Sequence, residues 1–297
     1  MQQYFGHPES PLFGVYHAPR GKRAKDDCAV LICPPIGQEY IRTHWCLRLI
    51  ASQVARAGAH VLRLDYHGMG DSSGRIEQID SVDTWQSNID EAIEHLKRTC
   101  GAETVMLLGQ RFGGTLAAEV AKRRPDVNSV VLWEPVIDGR IYLNQLRAVH
   151  AEMLDLWVCK MNTPNDDVAE EILGYLFSRA LLNEIEALEL CVGDIPQPQL
   201  VIKVREGVLN VTEHPEPSLQ KVIVDDRQTS WNDLRELESA YLRPEVSRQI
   251  VKLVGHMFER LKEFDALKLN PQASKMEGSA LISKFVTLEP MAICLGS

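Results

Sequence analysis

Between positions 105 and 114 the chain reads Val105-Met-Leu-Leu-Gly-Gln-Arg-Phe-Gly-Gly114, an apolar strand-like run that meets a glycine-framed turn and then a helical pattern. Glycines two residues either side of a central position let the backbone turn sharply. The central side chain is thereby lifted to the edge of a sheet, above the N-terminus of the next helix. A serine or cysteine at such a centre attacks an acyl group when a histidine, itself oriented by a carboxylate, takes its proton. Here the centre is Arg111, which stays protonated at any physiological pH and cannot be the nucleophile. It can bind. The free N–H groups and dipole of a helix start favour an anion, and a guanidinium beside them adds charge-assisted hydrogen bonds that a neutral hydroxyl could not. The competing expectation is a plug, with Arg111 folded over the cleft and paired with Glu39, Asp71 or Glu134.

The turn resembles that of the α/β-hydrolases, and the resemblance implies an acid after a later strand and a histidine after the last one. No histidine occurs between Val222 and Gly255, and the loop after the last expected strand reads Asp225-Asp-Arg-Gln-Thr-Ser-Trp231. His67, just past the end of a strand, is the best substitute base by position, although a histidine there more often holds its own glycine-rich loop. For the acid, Glu206 follows the Leu200–Val204 strand, and Glu134 or Asp138 follows the earlier strand Val127–Trp133. These leave His67, Glu134 and Glu206 as catalytic candidates without a nucleophile to serve.

The elements that position these residues follow from periodicity. Strand-like runs at Ala29–Cys33, His60–Asp65, Thr104–Leu108 and Val127–Trp133 alternate with helical patterns at Thr43–Ala57, Val82–Arg98 and Thr115–Arg123, the rhythm of a mostly parallel sheet covered on both faces. Tyr4–His17 supplies one or two leading strands. From about Arg140 to Cys191 the pattern is helical, which predicts a helical cap inserted over the sheet. Strands return at Leu200–Val204 and Lys221–Val224, and a helix is expected from Pro244 to about Leu267. The expected division is a core of residues 1–139 and 196–267, a cap at 140–195 and an extension at 268–297. That extension could add an edge strand near Ala280–Leu288 or pair across a homodimer.

Four motifs at strand ends carry a resemblance: Pro34-Pro-Ile-Gly-Gln-Glu39, Asp65-Tyr-His-Gly-Met-Gly-Asp-Ser-Ser-Gly74, the Gly109–Gly113 turn and Trp133-Glu-Pro-Val-Ile-Asp-Gly139. In this order they resemble the α/β-hydrolase superfamily, its serine aminopeptidase-like branch and the exosortase-associated hydrolase-like proteins, over residues 1–260. The resemblance implies the α/β-hydrolase fold and ester, thioester or amide substrates. For the exosortase-associated relatives it also implies a link to extracellular polysaccharide biosynthesis. It further implies an oxyanion hole built from the Phe112 N–H and one N–H of the early loop, that of Ile36 or Gln38. The expected ligand set is therefore Arg111, Phe112, Ile36, Gly37 and Gln38. The expected ligand is an anionic or acyl-bearing small molecule or a carrier-linked acyl group. The alternative is a hydrolase or acyltransferase with unorthodox catalytic residues.

Composition excludes other classes. With 32 Lys+Arg against 41 Asp+Glu the net charge is −9, and the basic runs Arg20–Lys25 and Lys122–Arg124 are too short for nucleic-acid binding. The glycine-rich loop at Gly68–Gly74 has the wrong spacing for a dinucleotide, and no phosphate-binding P-loop occurs. Seven scattered cysteines without a C-x-x-C pair suit reduced thiols in the cytoplasm better than disulfides or a zinc site. No cofactor, metal or membrane span is expected.

Overall fold

A computed structural model describes residues 1–20, 29–156, 167–197, 199–203, 219–223, 250–252 and 254–255. The strands are β1 (Gln2–His7), β2 (Ser10–His17), β3 (Ala29–Cys33), β4 (His60–Asp65), β5 (Val105–Gln110), β6 (Val127–Trp133), β7 (Ala169–Ile172), β8 (Tyr175–Ser178), β9 (Gln199–Lys203) and β10 (Leu219–Ile223). The helices are α1 (Gly37–Arg56), α2 (Asp83–Cys100), α3 (Phe112–Arg123), α4 (Gly139–Leu156) and α5 (Arg179–Ala187). Eight strands form one sheet in the order β1-β2-β4-β3-β5-β6-β9-β10. From β4 to β10 all pairings are parallel, and β1 and β2 are added antiparallel at one edge. This is the α/β-hydrolase fold expected from the sequence.

Parallel strands are covered on both faces, so their residues are apolar in unbroken runs rather than alternating. Every residue of β3, β4 and β5 is buried accordingly. On one face α2 and α3 pack Trp85, Ile89, Ile93, Phe112 and Leu116 against Leu31, Leu62, Leu107 and Leu132. On the other, Leu47, Ile50 and Val54 of α1 meet Val30, Val61, Met106 and Trp133. Gly101 ends α2 with φ 77°, the left-handed cap that glycine adopts without cost. Among the described residues no helix is long and apolar enough to cross a membrane.

Three boundaries depart from the sequence reading. Helix α1 begins at Gly37, six residues before Thr43, because its first turn buries Gly37, Glu39 and Tyr40 and so carries no apolar repeat to read. Helix α3 begins at Phe112 rather than Thr115, since its glycine pair is kept helical by close packing and not by propensity. The segment between β6 and β9 is not helical throughout. It holds α4 and α5 together with an antiparallel β7–β8 hairpin closed by Leu173-Gly174, with φ 53° and 82°, the two-residue turn whose twist suits a hairpin. Glu170 of β7 binds Arg147 of α4 at 2.8 and 2.9 Å and Arg179 of α5 at 2.9 Å, which ties hairpin and helices into one piece. Glu206, the loop 225–231, most of the helix expected over 244–267 and the extension 268–297 lie outside the described residues.

Candidate functional site

The turn from β5 into α3 is made by backbone contact. A Cβ on Gly113 would lie 2.1 Å from the Pro34 carbonyl oxygen, and one on Gly109 would lie 2.5 Å from that of Gly113. Only glycine lets the first turn of α3 come that close to β5 and to the β3–α1 loop. Between them Arg111 takes φ 52° and ψ −125°, a conformation that costs a non-glycine residue of order 1–3 kcal/mol. Surrounding bonds hold it there: Arg111 N–H donates to the Trp133 carbonyl at 2.9 Å, and its own carbonyl accepts from Gly114 N–H at 2.9 Å.

The guanidinium reaches the first turn of α1. Arg111 Nε donates to Glu39 Oε1 at 2.9 Å, the Arg111 side chain being 12% and that of Glu39 2% exposed. The second carboxylate oxygen, Glu39 Oε2, accepts from the Tyr142 hydroxyl at 3.1 Å. Tyr142 also stacks on Phe112, with ring centroids 5.8 Å apart, and Arg111 Cζ lies 5.6 Å from the centre of the Tyr142 ring, within cation–π range. Burial works against the charge of Arg111. The carboxylates of Glu39 and Glu134 and the Tyr142 hydroxyl outweigh it, so the pKa stands above the ordinary arginine value. Burial, reinforced by Glu39, holds Tyr142 as a neutral phenol. Of the carboxylates that the plug expectation names, Glu39 makes the ion pair, while Asp71 turns its N–H to Asp65 instead.

The other predicted ligand residues border this trio. Phe112 is fully buried in the first turn of α3, next to Arg111. Ile36 caps α1 in an extended conformation, without a side-chain cap. Gly37 follows with φ 57°, and Phe177 of the hairpin sits 3.3 Å from where its Cβ would be. Gln38 is half-buried beside Glu39. Glu134, also at positive φ, donates its N–H to the Ile202 carbonyl at 2.8 Å.

His67 belongs to a different cluster. Its Nδ1 lies 3.2 Å from both the Ser10 and Ser73 hydroxyls, its N–H donates to Asn88 and its carbonyl accepts from Trp85 Nε1. The ring packs on Gly74, where a Cβ would be 2.2 Å from Nε2. Tyr142 is the residue that sequence reasoning missed. It lies 103 positions from Glu39 in a segment read only for its apolar side chains, and no local signal marks it.

A family model described as serine aminopeptidase, S33, matches residues 29–214. The chain belongs to this family. The match runs from β3 through β9 and takes in α1, the strained turn and the segment between β6 and β9. Among solved structures, the fold is shared by a putative hydrolase from Agrobacterium vitis, at 20% identity and TM-score 0.54 over 86% of this chain and 97% of that one. Est1E from Butyrivibrio proteoclasticus, solved with ferulic acid bound, aligns at 17% identity and TM-score 0.55 over 90% and 99%. An esterase from Pyrococcus furiosus aligns at 14% identity and TM-score 0.56 over 88% and 90%. Among curated proteins none matches.

Proposed function

We propose that this member of the serine aminopeptidase family is a binding protein without Ser-His-Asp chemistry, its cleft holding an acyl-bearing small molecule or a carrier-linked acyl group. The observation that carries this reading is Arg111 at the centre of the strained turn, its guanidinium bound to Glu39 in the first turn of α1. A serine at this turn would offer a nucleophile; an arginine offers donors only. Glu39 cancels the guanidinium's charge, so a polyanion gains little here. A carboxylate or acyl carbonyl suits the site better, accepting hydrogen bonds from Phe112 N–H and the edge of Arg111. Esters, thioesters and amides all present such an oxygen.

A second reading, a hydrolase or acyltransferase with unorthodox residues, draws support from His67, whose ring nitrogen faces two serine hydroxyls at 3.2 Å. A fluorophosphonate probe and a panel of p-nitrophenyl esters separate the two. The binding reading expects neither labelling nor turnover. Labelling of Ser10 or Ser73 that disappears in His67→Ala would overturn it in favour of the second.

A further inference from the structure

Far from the cleft, the large sheet ends at β1. Tyr16 N–H donates to the Met1 carbonyl at 2.8 Å, and the Met1 amine donates to the Tyr16 carbonyl. Bonded and non-bonded positions alternate along an antiparallel pair, so Gln3, Phe5 and His7 turn their N–H and C=O groups toward β2. Gln2, Tyr4 and Gly6 turn theirs outward. Pro11, which has no N–H to give, stands opposite Gly6, a non-bonded position in this phase. Among the described residues no strand pairs with the outward edge. Such edges are ordinarily blunted by charged side chains or proline, yet β1, Gln2-Gln3-Tyr4-Phe5-Gly6-His7, holds no Asp, Glu, Lys, Arg or Pro. Tyr4 at its centre is 64% exposed.

Helix α2 lies against the same strand and runs opposite to it. Glu91 packs on Gly6, in the space that a Cβ would take. His95 Nε2 lies 2.6 Å from Gln3 Oε1, and its ring stacks on Phe5 at 4.3 Å. Arg98, three residues further along α2, therefore lies toward the start of β1. Among the described residues neither Glu91 nor Arg98 forms an ion pair.

We propose that two copies of this chain pair β1 to β1, antiparallel about a two-fold axis beside Tyr4, into one continuous sheet. Tyr4 then faces its own counterpart, and Gln2 faces Gly6 of the other copy, so every outward N–H meets an outward carbonyl. A second copy is the occupant because this edge is its own complement, as an isologous contact requires. The charges agree. The same axis reverses α2, which brings Glu91 of each copy toward Arg98 of the other, joining two groups of opposite sign that have no ion-pair partner within the chain.

Sedimentation velocity of the full chain over a concentration series tests the pairing. Wild type should pass from monomer to dimer. Tyr4→Pro removes an N–H that faces away from β2, so the β1–β2 bonds survive while edge pairing is blocked. Tyr4→Lys sets like charges opposite each other at the axis. Each variant, matched for fold by circular dichroism, should dimerise about tenfold more weakly or worse. Glu91→Lys and Arg98→Glu should each weaken the dimer about threefold, and the two together, which exchange the charges, should restore it. Amide exchange at Tyr4 should slow as concentration rises. A monomer at every concentration, a dimer that survives both Tyr4 variants, or no rescue in the charge-exchanged double variant would each overturn the assignment. So would a protected Tyr4 amide in a monomer, since the chain's own segment would then cover the edge.

Discussion

Glu39 and Tyr142 stand 103 residues apart and share a buried hydrogen bond, the phenol donating to Oε2 at 3.1 Å. Glu39 lies in the first turn of α1, and Tyr142 in the first turn of α4. The carboxylate between them also carries the Arg111 ion pair, so the sheet edge, the strained turn and the overlying segment meet at one side chain.

Stability should depend on that meeting point as a unit. Glu39→Ala removes the hydrogen-bonded counter-charge of a nearly buried guanidinium and should cost about 3 kcal/mol, the low end for breaking a buried pair, because the Glu134 carboxylate still favours the charge of Arg111. Removing both charges, as Arg111→Met with Glu39→Gln, should cost much less. Urea unfolding of Arg111→Met, Glu39→Gln and the double variant measures the coupling, expected at about 1–3 kcal/mol. Additive losses would deny the pair any role.

Gly113→Ala tests the turn. The added methyl would press on the Pro34 and Cys33 carbonyl oxygens, at 2.1 and 2.4 Å, and neither backbone group can move without shifting α1. A loss of about 3 kcal/mol or failure to fold is expected. A midpoint unchanged from wild type would contradict this geometry.

Acid should weaken the protein through His17. In the folded chain its pKa is lowered from the ordinary 6.5 to about 4, by burial first and then by Arg63, the chain's terminal amine, Arg20 and Arg48. Between those values the unfolded chain binds the extra proton, so this contribution is complete above pH 6.5 and is lost as pH falls toward 4. An NMR titration reads the His17 pKa directly. In His17→Gln the dependence of unfolding free energy on pH should flatten by one proton across that window.

Phe177 anchors the hairpin over Gly37 and is 3% exposed. Phe177→Ala should destabilise the fold by about 3–5 kcal/mol. Hydrogen exchange should accelerate first in α4, α5 and the hairpin, which Glu170 binds together, while β3 and β5 stay protected.

The sheet was readable because its strands are apolar runs bounded by proline and glycine, as at Ala29–Cys33 before Pro34-Pro35 and Val127–Trp133 before Pro135. The strained turn was readable because two glycines frame it. The start of α1 was hidden by its buried polar residues, since Glu39 and Tyr40 look solvent-facing to any periodicity argument. The hairpin was hidden by its turn: Leu173 takes positive φ, where asparagine or aspartate would have signalled a two-residue loop. Pairing of Arg111 with Glu39 stood among three named alternatives, and choosing between them required knowing that the first turn of α1 faces the end of β5. Tyr142 had no sequence signal because its partner lies in another layer.

The central claim is that Arg111 is a binding group at the turn. Calorimetric titration of octanoate, and of the octanoyl thioester of N-acetylcysteamine, into wild type and the double variant Arg111→Met with Glu39→Gln tests it most directly. Wild type should bind both, and the variant, matched for fold by circular dichroism, should bind about tenfold more weakly or worse. Equal affinity in the two proteins would contradict the claim.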